Sequence, residues 1–266
     1  FAFAHQLDGA HGPSVPDPEV IGMIDQALEQ DGFHLHFQPI VSLQGDSREH
    51  YAVLVRLNDD SDQELLPEAF LSHAEQGQRL AEIDRWVIRN SLREMARLHA
   101  VGQKTIFFIN ISSAGIKDDS LLLWICDCLR EFKAKGSWLT VQFSQQDLRK
   151  HIKPASRLIE GLKKINCRIA LSHFDNTPGS DALVQHLPID VVKLSPDYLS
   201  NLTENKAQQD ALVDINARLQ SAGVLTIASG VEDAGSLAVL WNTGVNYIQG
   251  YFLQEPASEI NFPAEV

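Results

Sequence analysis

Short apolar runs alternate along this chain with longer stretches in which hydrophobic residues recur every three or four positions. The run at residues 105–111 is typical of a buried strand, whereas residues 80–99 place Ile83, Trp86 and Val87 on one face of a helix. Eight strands are predicted, near residues 33–40, 51–57, 105–111, 138–144, 168–174, 191–194, 225–228 and 247–252. Helices are predicted near residues 17–30, 67–76, 80–99, 118–132, 147–165, 183–187, 206–222 and 233–242.

This alternation predicts the fold class. Nearly continuous apolar strands indicate burial on both faces, which is typical of a parallel sheet between helices. Eight such units in a chain of 266 residues favour an α/β fold of the closed (β/α)8 barrel type over an open sheet. Residues 1–16 show no period and are predicted to be a linker from an upstream domain, whereas residues 17–266 are predicted to form one domain.

Composition excludes some classes of function. A net charge of −13 argues against sequence-independent binding of nucleic acid polymers, although a few local cations suffice for a small nucleotide. The three cysteines, Cys126, Cys128 and Cys167, form no zinc-like pair and indicate reduced thiols in a cytoplasmic protein. No apolar run approaches the roughly 18 residues of a membrane span, so we expect no membrane insertion.

The C-terminal strand ends surround one pocket in a barrel, so the residues at these ends are the candidate site. They are Gln38, Arg56, Asn110, Gln142, Ser172, His173, Lys193, Ser229 and Gln249. The set contains no carboxylate, and the nearest one is Glu232 in the following loop. Because Mg²⁺ and Ca²⁺ prefer carboxylate oxygen, we expect no metal. A phosphate-bearing ligand could be held by Arg56 and Lys193, and Glu232 could accept hydrogen bonds from guanine.

Each of these residues also has a structural interpretation. Arg56 and Lys193 could pair with structural carboxylates, and buried amides such as Asn110 and Gln249 often only satisfy loop backbone groups. His34 and His36 lie on one face of a strand and could ligate a metal, but two ligands alone do not make a site.

An ordered set of motifs is recognisable at this point. They are Phe37-Gln38-Pro39-Ile40, Leu54-Val55-Arg56, Pro67 with Phe70, Asn110-Ile111-Ser112, Leu187-Pro188-Ile189-Asp190 with Lys193, Gly230-Val231-Glu232 and Gln249-Gly250-Tyr251-Phe252. Over about residues 20–257 the chain resembles the EAL domain, the family of cyclic di-GMP phosphodiesterases. The resemblance implies a modified TIM barrel whose first strand runs antiparallel to the others.

The chain departs from that family at the positions that hold metals. Where the family has Glu-Ala-Leu, this chain has Ala52-Val53-Leu54. The family's other metal-site carboxylates correspond to Gln142, Gln145, Ser172, His173 and Ser229, whereas Asn110 and Lys193 remain. The resemblance therefore implies a degenerate EAL domain that has lost both metals, and we predict that it is not an enzyme.

The resemblance also implies a ligand site for cyclic di-GMP that needs no metal or other cofactor. Its predicted residues are Gln38, Leu54, Arg56, Asp84, Asn110, Lys193, Glu232, Gln249 and Tyr251. Asp84 and Glu232 are candidates to accept the guanine N1–H and N2–H2 donors, and Arg56 to donate to the base or the phosphate. Alternatively, Asp84 serves only as a cap or i,i+4 partner on its own helix.

The predicted function is that of a bacterial cyclic di-GMP receptor. Inactive EAL domains of the FimX type, which regulate type IV pili and twitching motility with PilZ-domain proteins, are the nearest match, and LapD-type biofilm receptors are the alternative. The resemblance also implies an upstream GGDEF-like domain. Two rivals remain: a protein-interaction scaffold that no longer binds nucleotide, and residual phosphodiesterase activity in which His173 and Asn110 recruit an unusual metal.

Overall fold

Strands and helices alternate as predicted in the computed structural model, which describes residues 17–59, 61 and 63–260. The predicted linker at residues 1–16 lies outside the described residues. The strands are β1 Phe33–Ser42, β2 Glu49–Asn58, β3 Glu64–Leu65, β4 Thr105–Ile111, β5 Leu139–Ser144, β6 Arg168–Phe174, β7 Val191–Leu194, β8 Leu225–Ser229 and β9 Tyr247–Gln249. The helices are α1 Pro18–Gln30, α2 Pro67–Gln76, α3 Leu80–Ala100, α4 Ser113–Lys117, α5 Leu121–Glu131, α6 Gln145–Lys150, α7 Ile152–Lys164, α8 Pro178–His186, α9 Lys206–Ser221 and α10 Ala234–Thr243.

The strands close into a barrel. Their order is β1-β9-β8-β7-β6-β5-β4-β2, and β1 also pairs with β2. β1 is antiparallel to both of its neighbours, whereas the other pairs around the barrel are parallel. The reversal follows from the connection, because β1 and β2 are joined by a hairpin at residues 43–48 and not by a crossover helix. The predicted barrel with an antiparallel first strand is confirmed.

Two apolar layers hold the barrel together, because successive residues of a strand face opposite sides. In β4, Phe107 packs outward against the helices and Phe108 packs into the barrel interior. The interior layer consists of Ile40, Ala52, Ile106, Phe108, Ala170, Val191, Ile227 and Tyr247. It fills only the lower part of the barrel, so the next inward positions towards the mouth can be polar.

Several boundaries differ from the prediction. The two-residue strand β3, which pairs with the end of β2, is too short to give a periodic signal. The last strand ends at Gln249 and not at residue 252, because the chain turns at Gly250. The predicted helix at 118–132 is preceded by a separate short helix, α4, and the one at 147–165 is two helices, α6 and α7.

Two further observations bear on composition. All three cysteines carry free thiols, and Cys128 and Cys167 are buried. Among the helices of the described residues, none is both long and apolar enough to cross a bilayer.

Candidate functional site

A cavity of about 830 Å³, including its open mouth, lies at the C-terminal end of the parallel strands. Concave sites that combine apolar walls with a few convergent polar groups are typical of small-molecule binding. Seven of the predicted ligand residues line it, namely Gln38, Leu54, Arg56, Lys193, Glu232, Gln249 and Tyr251. The wall is completed by Leu66, Pro67, Glu68, Ser229, Gly230, Gly250 and Pro256.

Strand periodicity explains why these residues meet. Val191 lies in the apolar interior layer, and Lys193 is two residues further along β7 on the same face. Ala52 stands in the same relation to Leu54 and Arg56 on β2. The polar mouth is therefore the continuation of the apolar interior towards the C-terminal strand ends.

Two amide side chains join the first and last strands at the floor of the cavity. Gln249 Nε2 donates to Gln38 Oε1 at 2.6 Å, and Gln38 Nε2 donates to the carbonyl of Gln254 at 3.2 Å. Gln249 Oε1 is buried and accepts no hydrogen bond within the described part of the chain. A buried acceptor without a donor is costly, so a ligand N–H at this point would be favoured.

The rim that carries Glu232 and Tyr251 is fixed by backbone contacts. The N–H groups of Gly230 and Val231 donate to the Gln249 carbonyl at 2.8 and 3.1 Å, and the Phe252 N–H donates to the Val231 carbonyl at 3.1 Å. Gly230 has φ of 91°, and a Cβ at Gly250 would overlap the Val231 backbone. Glycine is therefore required at both positions for the two loops to interlock.

Arg56 pairs with a carboxylate that the sequence analysis missed. Its Nε donates to Glu64 Oε1 at 3.2 Å and its Nη1 to the Val55 carbonyl at 3.0 Å. Glu64 Oε2 also lies 2.9 Å from His36 Nε2, and burial lowers the pKa of His36. The structural interpretation of Arg56 is thus realised in part, although Arg56 still lines the cavity. Glu64 was missed because it lies on the two-residue strand β3.

Lys193, unlike Arg56, has no carboxylate partner among the described residues. The Lys193 ammonium makes no hydrogen bond or ion pair within the described ranges, so the structural pairing considered for it is absent there. Burial lowers the pKa of its ammonium group to about 8. A desolvated cation without a counter-charge favours an incoming anion.

Asp84 and Asn110 lie outside this cavity, in a smaller neighbouring cleft that shares Leu54. The Asp84 carboxylate accepts hydrogen bonds from the Ser112 N–H at 3.1 Å and from the Ser112 hydroxyl at 2.7 Å. It therefore supports the turn after β4, and it does not cap its own helix. These hydrogen bonds hold its carboxylate against α4, so Asp84 does not line the cavity that contains Glu232.

The positions that would hold metals carry neutral side chains tied to neighbouring strands. Gln142 Nε2 donates to Asn110 Oδ1 at 2.5 Å, Ser172 Oγ to the Phe143 carbonyl at 3.2 Å, and Ser229 Oγ to the Leu194 carbonyl at 3.1 Å. In residues 17–59, 61 and 63–260, no group of three His, Cys, Asp or Glu residues could hold a metal ion, and His34 with His36 gains no third ligand. This donor set does not fit a pair of hard divalent cations.

The motifs that suggested a family are confirmed by comparison. The model of the EAL domain matches residues 21–256. The chain belongs to the EAL domain family. The crystal structure of the FimX EAL domain from Pseudomonas aeruginosa bound to c-di-GMP superposes with a TM-score of 0.88 and 35% identity, covering 93% of this chain and 100% of that one. The Xanthomonas citri FimX EAL domain in complex with c-diGMP gives a TM-score of 0.87 and 27% identity, covering 92% of this chain and 95% of that one.

The curated relatives correct one prediction. Cyclic di-GMP phosphodiesterase PdeF of Escherichia coli is 24% identical over 247 residues, which are 93% of this chain and 33% of PdeF. NbdA of P. aeruginosa, PdeR of E. coli and PdeB of Shewanella oneidensis are also named cyclic di-GMP phosphodiesterases. The prediction that this EAL domain is not an enzyme is contradicted by these relatives. The chain spans about a third of the length of the first curated relatives it matches.

The environment of Asp84 predicts a pH dependence of stability. Burial raises the pKa of Asp84 to about 7, whereas a carboxyl in the unfolded chain titrates near 3.8. The folded state therefore keeps a proton that the unfolded state releases, and this contribution to stability is lost as pH rises from about 4 to about 7. We expect the free energy of unfolding of Asp84→Asn, relative to the wild type, to increase across this window by up to about 4 kcal/mol.

Denaturant unfolding at several pH values measures this difference. Asp210→Asn is the matched control, because Asp210 is an exposed partner of Lys206 and its loss should leave a pH-independent difference. A pH-independent difference for Asp84→Asn as well would contradict the assignment.

Proposed function

We propose that this chain binds cyclic di-GMP in the cavity at the barrel mouth, without a metal, and passes the ligand state to a protein partner. The observation that carries the proposal is the partly buried ammonium of Lys193, which has no counter-charge among the described residues, in a cavity that also presents Arg56 and the carboxylate of Glu232. A cyclic dinucleotide offers what these groups lack, namely anionic phosphates and the donor edges of guanine.

The phosphate side of the cavity rests on two different cations. Lys193 supplies a point charge that is partly withdrawn from water. Arg56 supplies a planar guanidinium whose orientation is fixed by Glu64 and the Val55 carbonyl. Its Nη2 has no acceptor within the described residues and can donate to a phosphate oxygen.

The guanine side rests on acceptors and an aromatic ring. Glu232 can accept the N1–H and N2–H2 donors, and the buried Gln249 Oε1 can accept one further N–H. Tyr251, with 61% of its surface exposed, lies at the rim where a base can stack on its ring. The similarity to FimX EAL domains that were crystallised with c-di-GMP supports the same ligand.

The similarity to FimX EAL domains also suggests a partner and a pathway. We propose a PilZ-domain protein as partner, an upstream GGDEF-like domain in the full-length protein, a cytoplasmic location, and a role in type IV pilus or twitching motility. Pull-down with a PilZ-domain protein, with and without cyclic di-GMP, tests the partner. Ligand-dependent capture supports the relay, whereas equal capture in both conditions favours an interaction scaffold. Capture by a LapD-type pathway component alone would place the chain in biofilm control.

Hydrolysis of cyclic di-GMP is a second candidate function. The four relatives named cyclic di-GMP phosphodiesterases favour it. Incubation of cyclic di-GMP with substoichiometric protein and Mg²⁺ or Mn²⁺ tests it by chromatography of the products. Multiple turnovers to the linear dinucleotide would establish the activity, and its absence with both ions would remove this candidate.

Binding should not depend on a metal, because the groups that would contact the ligand are side chains of the protein. We expect isothermal titration with cyclic di-GMP in EDTA to show saturable binding at micromolar affinity or tighter, with one ligand per chain, and the same affinity after Mg²⁺ is added. A large loss of affinity in EDTA would show that a metal participates. No heat and no shift in melting temperature would leave only the scaffold.

Glu232 should contribute directly to affinity. Replacing it with Ala removes a charged acceptor from the guanine donors, so Glu232→Ala should weaken cyclic di-GMP binding by about 1–3 kcal/mol. Glu204→Ala, which removes an exposed carboxylate from the loop before α9, is the control for net charge and should bind like the wild type. Equal affinities of all three proteins would refute the role of Glu232.

A further inference from the structure

The cavity contains a second carboxylate, which the sequence motifs do not indicate. Glu68 lies in the first turn of α2 and lines the cavity with Leu66 and Pro67. Its Oε2 is buried and has no hydrogen-bond partner within the described part of the chain. From these observations we propose that Glu68 recognises the second guanine of cyclic di-GMP, in the same way that Glu232 recognises the first. The inference rests on the function proposed above.

The position of Glu68 is fixed by the packing of its helix. Phe70 and Leu71 are buried in the core, and Pro67 begins α2, so the first turn is held against the barrel. An acidic residue in the first turn also interacts favourably with the helix dipole. That interaction alone would leave the carboxylate in water, whereas the Oε2 of Glu68 is withdrawn from it. A buried carboxylate oxygen without a donor is costly and favours a ligand that supplies one.

The chemistry of the ligand gives this carboxylate a partner. Cyclic di-GMP contains two guanines, and each presents N1–H and N2–H2 on one edge, which a single carboxylate can accept together. The cavity presents two carboxylates, Glu68 and Glu232. Asp84, the second acceptor expected from the sequence, is instead engaged by Ser112. Arg56 and Lys193 in the same cavity offset the charge of the two carboxylates.

Base specificity follows from this arrangement. Adenine has an acceptor at N1 and no amino group at C2, so a carboxylate facing this edge meets a lone pair and loses a donor. The 3′,3′-linked cyclic GMP–AMP dinucleotide keeps the backbone of cyclic di-GMP and replaces one guanine with adenine. It can place its guanine at Glu232 and its adenine at Glu68. The wild type should therefore prefer cyclic di-GMP, and Glu68 should account for that preference.

The test is isothermal titration of wild type, Glu68→Gln and Glu75→Gln with both dinucleotides in EDTA. We expect Glu68→Gln to bind cyclic di-GMP about tenfold more weakly or worse, with little change for the mixed dinucleotide, so that the preference collapses. Glu75→Gln removes the same charge from an exposed position on the same helix and should keep the wild-type preference.

Each outcome decides between two explanations. An equal loss for both ligands in Glu68→Gln, or no loss for either, would overturn the assignment of Glu68. A lower melting temperature with an unchanged preference would assign Glu68 to helix stability only and would also overturn it. If the wild type binds neither dinucleotide, the proposed function itself fails, which is a different result from binding without discrimination at Glu68.

Discussion

Desolvation of charged groups at the mouth of the barrel is the physical constraint on which the site depends. The lower barrel is filled with apolar side chains, so a cation two residues further along a strand is partly withdrawn from water. Burial lowers the pKa of Lys193, whose ammonium has no counter-ion in the part of the chain that the structure describes, whereas the Arg56 guanidinium is paired with Glu64. The two cations are therefore unequal, because only the guanidinium is held in place by a carboxylate.

The course of the backbone determines where the residues of the cavity lie. Because β1 runs against its neighbours, Gln38 enters the mouth from the opposite strand direction and meets Gln249 across the barrel seam. The interlocked loops at Gly230 and Gly250 then place the rim above these amides. Local glycine geometry, strand direction and side-chain period therefore all contribute to the same cavity.

Much of this arrangement could be predicted from the sequence. The strands at residues 105–111, 168–174 and 191–194 have the predicted bounds, because buried strands give continuous apolar runs. Strand ends also located five of the residues that line the cavity, namely Gln38, Arg56, Lys193, Ser229 and Gln249. Glu64 and Glu68 could not be identified, since their roles arise from a two-residue strand and from a single unpaired oxygen, and neither gives a pattern. The substitutions at the metal positions predict a loss of activity, and the relatives named phosphodiesterases contradict this prediction.

The floor of the cavity can form only when β1 pairs with β9 during folding. The amide pair across it joins side chains 211 positions apart, and residue 257 pairs with Phe37 on the same strand. Contacts between residues so far apart in sequence have a large entropic cost of loop closure, and we expect them to form late in folding. A partly folded barrel with an open seam would have the helices and most of the sheet but no floor for the ligand. Ligand binding would then require a closed barrel, and a bound ligand would stabilise the pairing of β1 with β9.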